Sequence, residues 1–346
     1  MAHFLFADES IVFDGQSIER GPLGGAESAF ISMCEALAKR GHKISVRNKC
    51  LAPLDHNGVS WRPLGAPWPQ DADVYVANRG WQLIDLMPDI KRRIFWIHNP
   101  ANYLLKFRYF HRIARYRPSI VFSGQHHADT YPPFAPPWLK PNSRIIIPYG
   151  ISKDFLGATE RINAPSPKVI FTSNPLRSLD WLLQIWQNYI HPALPQAELH
   201  IFSGASTYKA QGTKLGDKME AVLNAARAMQ NKGVILRDPI AKPQLREELY
   251  SSRALLYRGD VGETFCLAVG EAQAMGVPAI VQPVGCVAER VVDGQTGYVA
   301  HSDEEFAGRA IRILQDDTHW MELHRNAIRL QQAWTWDRAA AAFEAI

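Results

Sequence analysis

Residues 262–297 read GETFCLAVGEAQAMGVPAIVQPVGCVAERVVDGQTG, and the rest of the chain is organised around them. They follow a short apolar run, Ala254-Leu255-Leu256-Tyr257, of the length and composition of a buried strand. Thr264 can cap a helix, the residues to Met275 are rich in helix formers, and Gly276 with Pro278 supplies a stop signal. Two carboxylates lie in the segment, Glu263 at the expected helix mouth and Glu271 in the middle of the helix. Eight residues of α-helix rise about 12 Å, the span of a sugar joined through a diphosphate to a nucleoside. Between the two acids the helix N-terminus would offer free N–H groups and a partial positive charge, which suits a diphosphate. One carboxylate could then hold a sugar's hydroxyls and the other a ribose diol. Two glutamates on one helix can equally form a solvated face.

The neighbouring residues favour the first reading. Gly262 precedes the pair, and Ala274-Met275-Gly276-Val277-Pro278, Gly285, Glu289 and Asp293-Gly294-Gln295-Thr296-Gly297 follow in order. This whole segment resembles the E-x7-E region of the retaining glycosyltransferases of family 4 (glycosyl transferases group 1). These have the GT-B fold, an α/β architecture of two facing Rossmann-like domains with a cleft between them. The resemblance implies a nucleoside diphosphate sugar as donor substrate, with no metal and no other cofactor.

A chain of 346 residues is long for one core, and two domains of about 150–180 residues are expected. An apolar content of 47% and a charged content of 21% are those of an ordinary globular protein. The opening run His3-Phe4-Leu5-Phe6-Ala7 is cut by Asp8 and Glu9, so no signal peptide is expected. No apolar segment reaches the length of a membrane-spanning helix. Cys34, Cys50, Cys266 and Cys286 lack metal-type or redox-type spacing, which fits a reducing cytoplasm.

The net charge of +4 is unevenly spread: residues 1–150 carry 18 basic against 12 acidic side chains, the remainder 20 against 22. Most of the excess lies in Lys91, Arg92, Arg93, Lys106, Arg108, Arg112, Arg115 and Arg117, with no acid among residues 91–117. No nucleic-acid-binding module accompanies this patch, so nucleic acid is not an expected partner. The basic, aromatic stretch Tyr103–Arg117 reads as an amphipathic helix. It is either a core-facing helix with a solvated basic side, or a surface that rests on anionic membrane or receives an anionic, lipid-linked acceptor.

Strand and helix patterns alternate from the start, the mark of a parallel sheet with helices on its faces. In the first half, strands are expected at His3–Ala7, Lys43–Val46, Val74–Ala77, Arg93–Ile97, Ser119–Ser123 and Arg144–Ile147, with a helix from the Gly24-Gly25-Ala26-Glu27 turn to Lys39. Two adjacent glycines before a helix permit close approach of an anion, although an ordinary loop has the same composition. Asp71-Ala72-Asp73 has the form of a metal-binding D-x-D triplet, but it runs straight into an apolar strand and is rejected as one. His98 follows the Arg93 strand, where ligands of open α/β sheets gather.

Pro148-Tyr149-Gly150-Ile151 ends the first half, and a second alternating series begins at Lys168. Its helices are expected at Leu179–Tyr189, about Asp217–Gln230 and about Lys242–Ser251. The loop after its first strand holds Ser173 and Arg177, and arginine's planar fork suits a phosphate. The tail Asp303–Gln332 is helical, and Trp334-Thr335-Trp336-Asp337 starts a final helix.

The resemblance assigns roles to these positions. Residues 1–150 would be the acceptor-side domain, 151–335 the nucleotide-sugar-binding domain, and 336–346 a helix returning to the first. His98 and Glu263 would act on the donor sugar at the reaction centre. Gly24, Gly25, Ser173, Arg177, Thr264, Phe265 and Cys266 would hold the donor, and Glu271 its ribose. Two departures from the family pattern stand out: Ser178 replaces a common glycine, and Arg258 a frequent proline. The expected activity is transfer of a hexose, with retention, from a UDP- or GDP-linked donor to a glycan or lipid-linked acceptor, in bacterial polysaccharide or lipopolysaccharide synthesis. The expected setting is the cytoplasm or the inner face of the membrane. A nucleotide-sugar epimerase or hydrolase on the same fold, and a non-catalytic scaffold, are the alternatives. A dinucleotide oxidoreductase is disfavoured because no G-x-G-x-x-G follows the first strand of either half.

Overall fold

The structure, a computed structural model, describes residues 1–132, 144–204 and 213–346. The chain divides into two compact units. Met1–Arg20, Gly25–Gly150 and Thr335–Ile346 form the first, Gly21–Gly24 and Ile151–Trp334 the second.

The strands of the first unit are β1 (His3–Asp8), β2 (Lys43–Asn48), β3 (Leu54–His56), β4 (Val59–Pro63), β5 (Val74–Asn78), β6 (Arg92–Trp96), β7 (Ser119–Phe122) and β8 (Arg144–Ile146). They form one sheet in the order β3-β4-β2-β1-β5-β6-β7-β8, parallel throughout except for the β3–β4 hairpin. That hairpin was not anticipated. Its Asn57-Gly58 turn takes φ of 48° and 77°, the left-handed pair that a two-residue hairpin loop requires. Every residue of β1 is buried, as expected for a central strand covered on both faces. The unit's helices are α1 (Ser17–Arg20), α2 (Gly25–Lys39), α3 (Phe107–Tyr116) and α4 (Gln125–Asp129).

The second unit contains β9 (Lys168–Phe171), β10 (Glu198–Phe202), β11 (Val234–Arg237), β12 (Ala254–Gly259), β13 (Ala279–Val284) and β14 (Gly297–Val299). All pair in parallel in the order β11-β10-β9-β12-β13-β14. Counted along the chain this is 3-2-1-4-5-6, the Rossmann order. Its helices are α5 (Leu179–Ile185), α6 (His191–Ala193), α7 (Lys214–Arg227), α8 (Lys242–Tyr250), α9 (Leu267–Ala274), α10 (Asp303–Gln315) and α11 (Asp317–Gln331). The expected helix Leu179–Tyr189 is interrupted, since Trp186–Ile190 winds as a π-turn. The fully buried Trp186 donates its indole N–H to the Lys232 carbonyl at 2.8 Å.

The last helix, α12 (Trp336–Glu344), is capped by the Thr335 hydroxyl and belongs to the first unit. Its buried Phe343 packs 5.4 Å from the Trp96 ring and 6.3 Å from that of Phe6. Gly150 lies directly under the backbone of Trp336, where a side chain of any kind would overlap it.

Candidate functional site

In the second unit the strand order reverses between β9 and β12, and ligands of open α/β sheets collect outside the carboxyl ends of the strands at such a point. Ser173 and Arg177 follow β9, and Glu263 follows β12. Arg177 donates to Glu263 Oε1 at 2.6 Å across 86 residues of sequence. Tyr257, from β12 itself, donates its hydroxyl to Oε2, and Cys266 adds a thiol hydrogen bond to the same carboxylate. The Glu263 side chain is 5% exposed. Burial raises its pKa, while the Arg177 charge and the Tyr257 hydrogen bond pull it back. Ser173 Oγ lies 3.5 Å from the Tyr257 hydroxyl. Ser178, in the left-handed region at φ 60°, ties the Arg177 loop to the Gly259 carbonyl at 3.1 Å.

The expected helix cap at Thr264 is not there. Cys266 takes φ 60° and ψ 82°, and α9 begins only at Leu267, without a side-chain cap. A left-handed residue cannot continue a right-handed helix, and for an L side chain it costs about 1–2 kcal/mol. Glu263 therefore stands on a loop ahead of α9, and the 12 Å spacing derived from one continuous helix does not describe the Glu263–Glu271 pair. Thr264, Phe265 and Cys266 are buried in this loop.

Glu271 is held separately. It lies buried in α9, and Lys242 of α8 reaches its Oε1 at 2.5 Å. Lys242 is the first residue of α8, where the helix dipole disfavours a cation, so its pairing with Glu271 offsets a local penalty. Its ammonium also lies 5.6 Å from the Phe155 ring centre. Sequence reasoning missed both Lys242 and Tyr257; a lysine opening a helix was the one available hint. A third missed residue is Arg290, buried between the rings of Phe265 at 4.2 Å and Trp334 at 4.5 Å. Burial lowers its pKa to about 10, and it forms no salt bridge among the described residues.

The first unit also has a reversal point, between β1 and β5. Asp8 ends β1 and Asn78 ends β5. Asn78 donates its amide N–H to Asp8 at 2.5 Å, which turns the amide oxygen toward His98 Nε2 at 2.7 Å. His98 Nε2 therefore carries the proton, and Nδ1 accepts from the Tyr149 hydroxyl. Burial, with the nearby Arg79 charge, lowers the His98 pKa well below its ordinary value, so the ring is neutral. Arg79, itself left-handed at φ 62°, donates to Ser10 at 2.6 Å, to Glu27 at 2.9 Å and to Asp8 at 3.3 Å. Burial opposes the charge on Arg79, and the two carboxylates more than restore it. Gly25, the exposed first residue of α2, is in this unit; Gly24 falls in the other.

The basic stretch is not one helix. Ala101–Leu105 is a 3-10 turn, Lys106 is extended, and α3 follows. Nor is it uniformly solvated. Arg93 is buried and donates to the carbonyls of Ile84, Met87 and Ile90, and Arg112 pairs with Asp85 at 2.8 Å. Lys106, Phe107, Arg108 and Arg115 are exposed. Asp71 pairs with Lys43 at 2.7 Å and Asp73 accepts the His3 backbone N–H at 2.7 Å, so the D-x-D triplet serves the amino end of the sheet. Among the described residues no helix is long and apolar enough to cross a membrane.

The family model described as Glycosyl transferases group 1 matches residues 166–316. D-inositol 3-phosphate glycosyltransferase of Corynebacterium aurimucosum is 29% identical over 125 residues, which is 36% of this chain and 30% of that protein. The chain thus spans about a third of the length of the curated relatives it matches. Among solved structures, sucrose-phosphate synthase from Thermosynechococcus elongatus superposes over 100% of this chain and 98% of its own, with a TM-score of 0.74 and 14% identity. Anabaena HepE in complex with UDP-glucose superposes over 100% of both chains, with a TM-score of 0.71 and 13% identity. The fold is therefore GT-B, and residues 166–316 are similar to the glycosyl transferases group 1 family.

Proposed function

We propose that this protein is a metal-independent hexosyltransferase that uses a UDP- or GDP-linked sugar and retains configuration at the anomeric carbon. The observation that carries the reading is the buried Glu263–Tyr257 pair, met by the half-exposed Arg177, at the reversal point of the second unit. The curated relatives are glycosyltransferases by name, and the HepE structure contains UDP-glucose. In this reading Glu263 holds the donor sugar, beside the N–H groups of Thr264, Phe265 and Cys266. Glu271, steadied by Lys242, binds the ribose diol. Ser173, Arg177 and the Gly24-Gly25 turn meet the diphosphate, and Arg177 stabilises the charge that develops as it leaves.

The acceptor hydroxyl oxygen bonds to the anomeric carbon on the leaving-group face as the bond from that carbon to the phosphate oxygen breaks, and the departing phosphate takes the proton. Glu263 is committed to Arg177 and Tyr257, and Glu271 to Lys242. Neither is placed as one of a pair of acid and nucleophile carboxylates flanking the anomeric carbon, as in retaining hydrolases. His98, neutral and with both ring nitrogens engaged, is assigned to positioning the donor sugar rather than to proton transfer. The acceptor would be a glycan or lipid-linked molecule of bacterial polysaccharide synthesis. Exposed Phe107, between exposed Lys106 and Arg108, is where an anionic membrane would be met.

A thermal-shift screen against UDP, GDP, ADP, TDP and their common sugars tests the donor. At 100 times its dissociation constant a ligand adds about 2.7 kcal/mol, and Glu271→Ala should abolish the effect. No shift with any nucleotide would reject the assignment. Turnover that proceeds equally without acceptor would indicate a hydrolase or epimerase, and an inverted product by NMR would reject retention.

A further inference from the structure

At the end of the first sheet opposite to His98, a cavity of about 170 Å³ opens between the starts of β6 and β7, lined by Lys91, Arg92, Arg93, Arg117 and Ser119, with Val74, Ile94 and Ile346 completing it. Arg92 starts β6, whose five residues separate the cavity from His98 by roughly 13 Å or more of strand. The lining includes no acidic side chain. Arg93 is spent on backbone carbonyls, and Arg92 gives one N–H to the Glu344 carbonyl at 3.0 Å. Lys91 and Arg117 form no salt bridge among the described residues, although Arg112, on the helix that leads to Arg117, pairs with Asp85. Three exposed cations and a hydroxyl thus line a recess whose side chains bring no opposite charge.

A second observation is independent of charge. Arg117 caps the carboxyl end of α3 at φ 45° and ψ 53°. Glycine is the usual residue in that conformation, and the following Pro118 restricts its predecessor to extended backbone. The chain therefore keeps a strained arginine where glycine would be easier, and backbone strain of this kind concentrates at sites that use the side chain.

We propose that this cavity is a binding site for a phosphomonoester, distinct from the donor site of the second unit. Two guanidinium forks offer bidentate hydrogen bonds to a tetrahedral dianion, the ammonium of Lys91 adds a point charge, and Ser119 Oγ can donate once more. A single carboxylate would leave most of the positive charge unmatched. The phosphate can belong to a soluble molecule or to a lipid headgroup, and the two are separable by experiment.

The test uses Arg117→Gly, which removes the cation and relieves the strain, so it should fold at least as well as the parent. Inorganic phosphate, at constant ionic strength set with sodium chloride, should raise the melting temperature of the parent by about 3 °C or more near ten times the dissociation constant. Arg117→Gly and Lys91→Ala should lose that rise, while Arg177→Ala, in the donor loop, should keep it. An equal rise in Arg117→Gly, or no rise beyond that of chloride, overturns the proposal. Co-sedimentation with phosphatidylcholine vesicles containing phosphatidic acid, lost in Arg117→Gly, would identify the headgroup as the source. A phosphate-dependent rise without sedimentation would identify a soluble phosphate.

Discussion

Replacing Tyr257 by Phe isolates one oxygen atom in the most heavily committed part of the second unit. The ring stays, with its contact to Phe171 at 5.9 Å between centres, and only the hydroxyl that donates to buried Glu263 is lost. Burial pushes the Tyr257 pKa far up, so the hydroxyl is a donor at every working pH. A hydrogen bond to a charged acceptor contributes about 1.5–3 kcal/mol, and an acceptor left short in the interior bears the desolvation cost. For a unit of this size each kcal/mol is about 2–4 °C of melting temperature, so Tyr257→Phe should melt about 3–12 °C lower. The same hydroxyl favours the ionised form of Glu263, and one pKa unit is about 1.36 kcal/mol. The acid limb of donor turnover should therefore move to higher pH, because Glu263 takes its proton earlier. Denaturation followed by tryptophan fluorescence and a pH profile of donor turnover read the two effects. A stability change below about 0.5 kcal/mol with an unmoved acid limb would refute the role given to Tyr257.

Other expectations follow from the same geometry. Lys242→Met leaves Glu271 buried without its cation and should cost about 2–4 kcal/mol, with Lys242→Arg recovering most of it; an unchanged melting temperature in Lys242→Met would show that the pair contributes nothing. His127 accepts from the Ser123 N–H at 3.1 Å and faces the Asn99 carbonyl at 2.9 Å, and burial lowers its pKa from 6.5 to about 4. Its folded pKa lies below its unfolded one, so the unfolded state takes the proton first. Stability should fall as pH drops from 6.5 toward 4, by up to about 3 kcal/mol, and buried His98 acts in the same direction. A stability curve flat over that range would contradict both. Gly297 sits at φ 150° with the Ala279 backbone where a Cβ would go, so Gly297→Ala should leave little soluble protein. Gly294, at φ 70° in open space, should tolerate alanine at a cost of about 1–2 kcal/mol, read as a small fall in melting temperature.

The sheet architecture was legible because parallel strands are buried on both faces and appear as continuous apolar runs, as in β1 and β12. The strand-end rule then placed Arg177, Glu263 and His98 at the correct ends of their strands before any pairing was known. The start of α9 was misread because Thr264 has the composition of a cap, whereas the chain reserves a left-handed turn for Cys266, a residue with no such preference. The β3–β4 hairpin was missed although Asn57-Gly58 is a strong turn signal, because its strands are three and five residues long and too short to show a period. The Asp8–Asn78–His98–Tyr149 chain was invisible for another reason. It joins residues 20 to 70 positions apart, and each polar member taken alone reads as an ordinary strand end or loop residue. Tyr257 was hidden inside an apolar run, where an aromatic residue needs no explanation beyond packing.

The placement of α12 bears on how the protein is made. The first unit is complete in its strands once Ile146 has been synthesised, yet the ring that fills the space beside Phe6 and Trp96 is Phe343. At about 5–20 residues per second, roughly 10–40 s of translation separate Gly150 from Thr335. During that interval the nascent first unit carries an open apolar socket at its centre, while the second unit, nearly contiguous in sequence, can close on its own. Released chains truncated after residue 334 should thus contain a protease-resistant second unit and a first unit that is still cleaved, and restoring the last helix, which seats Phe343, should protect both.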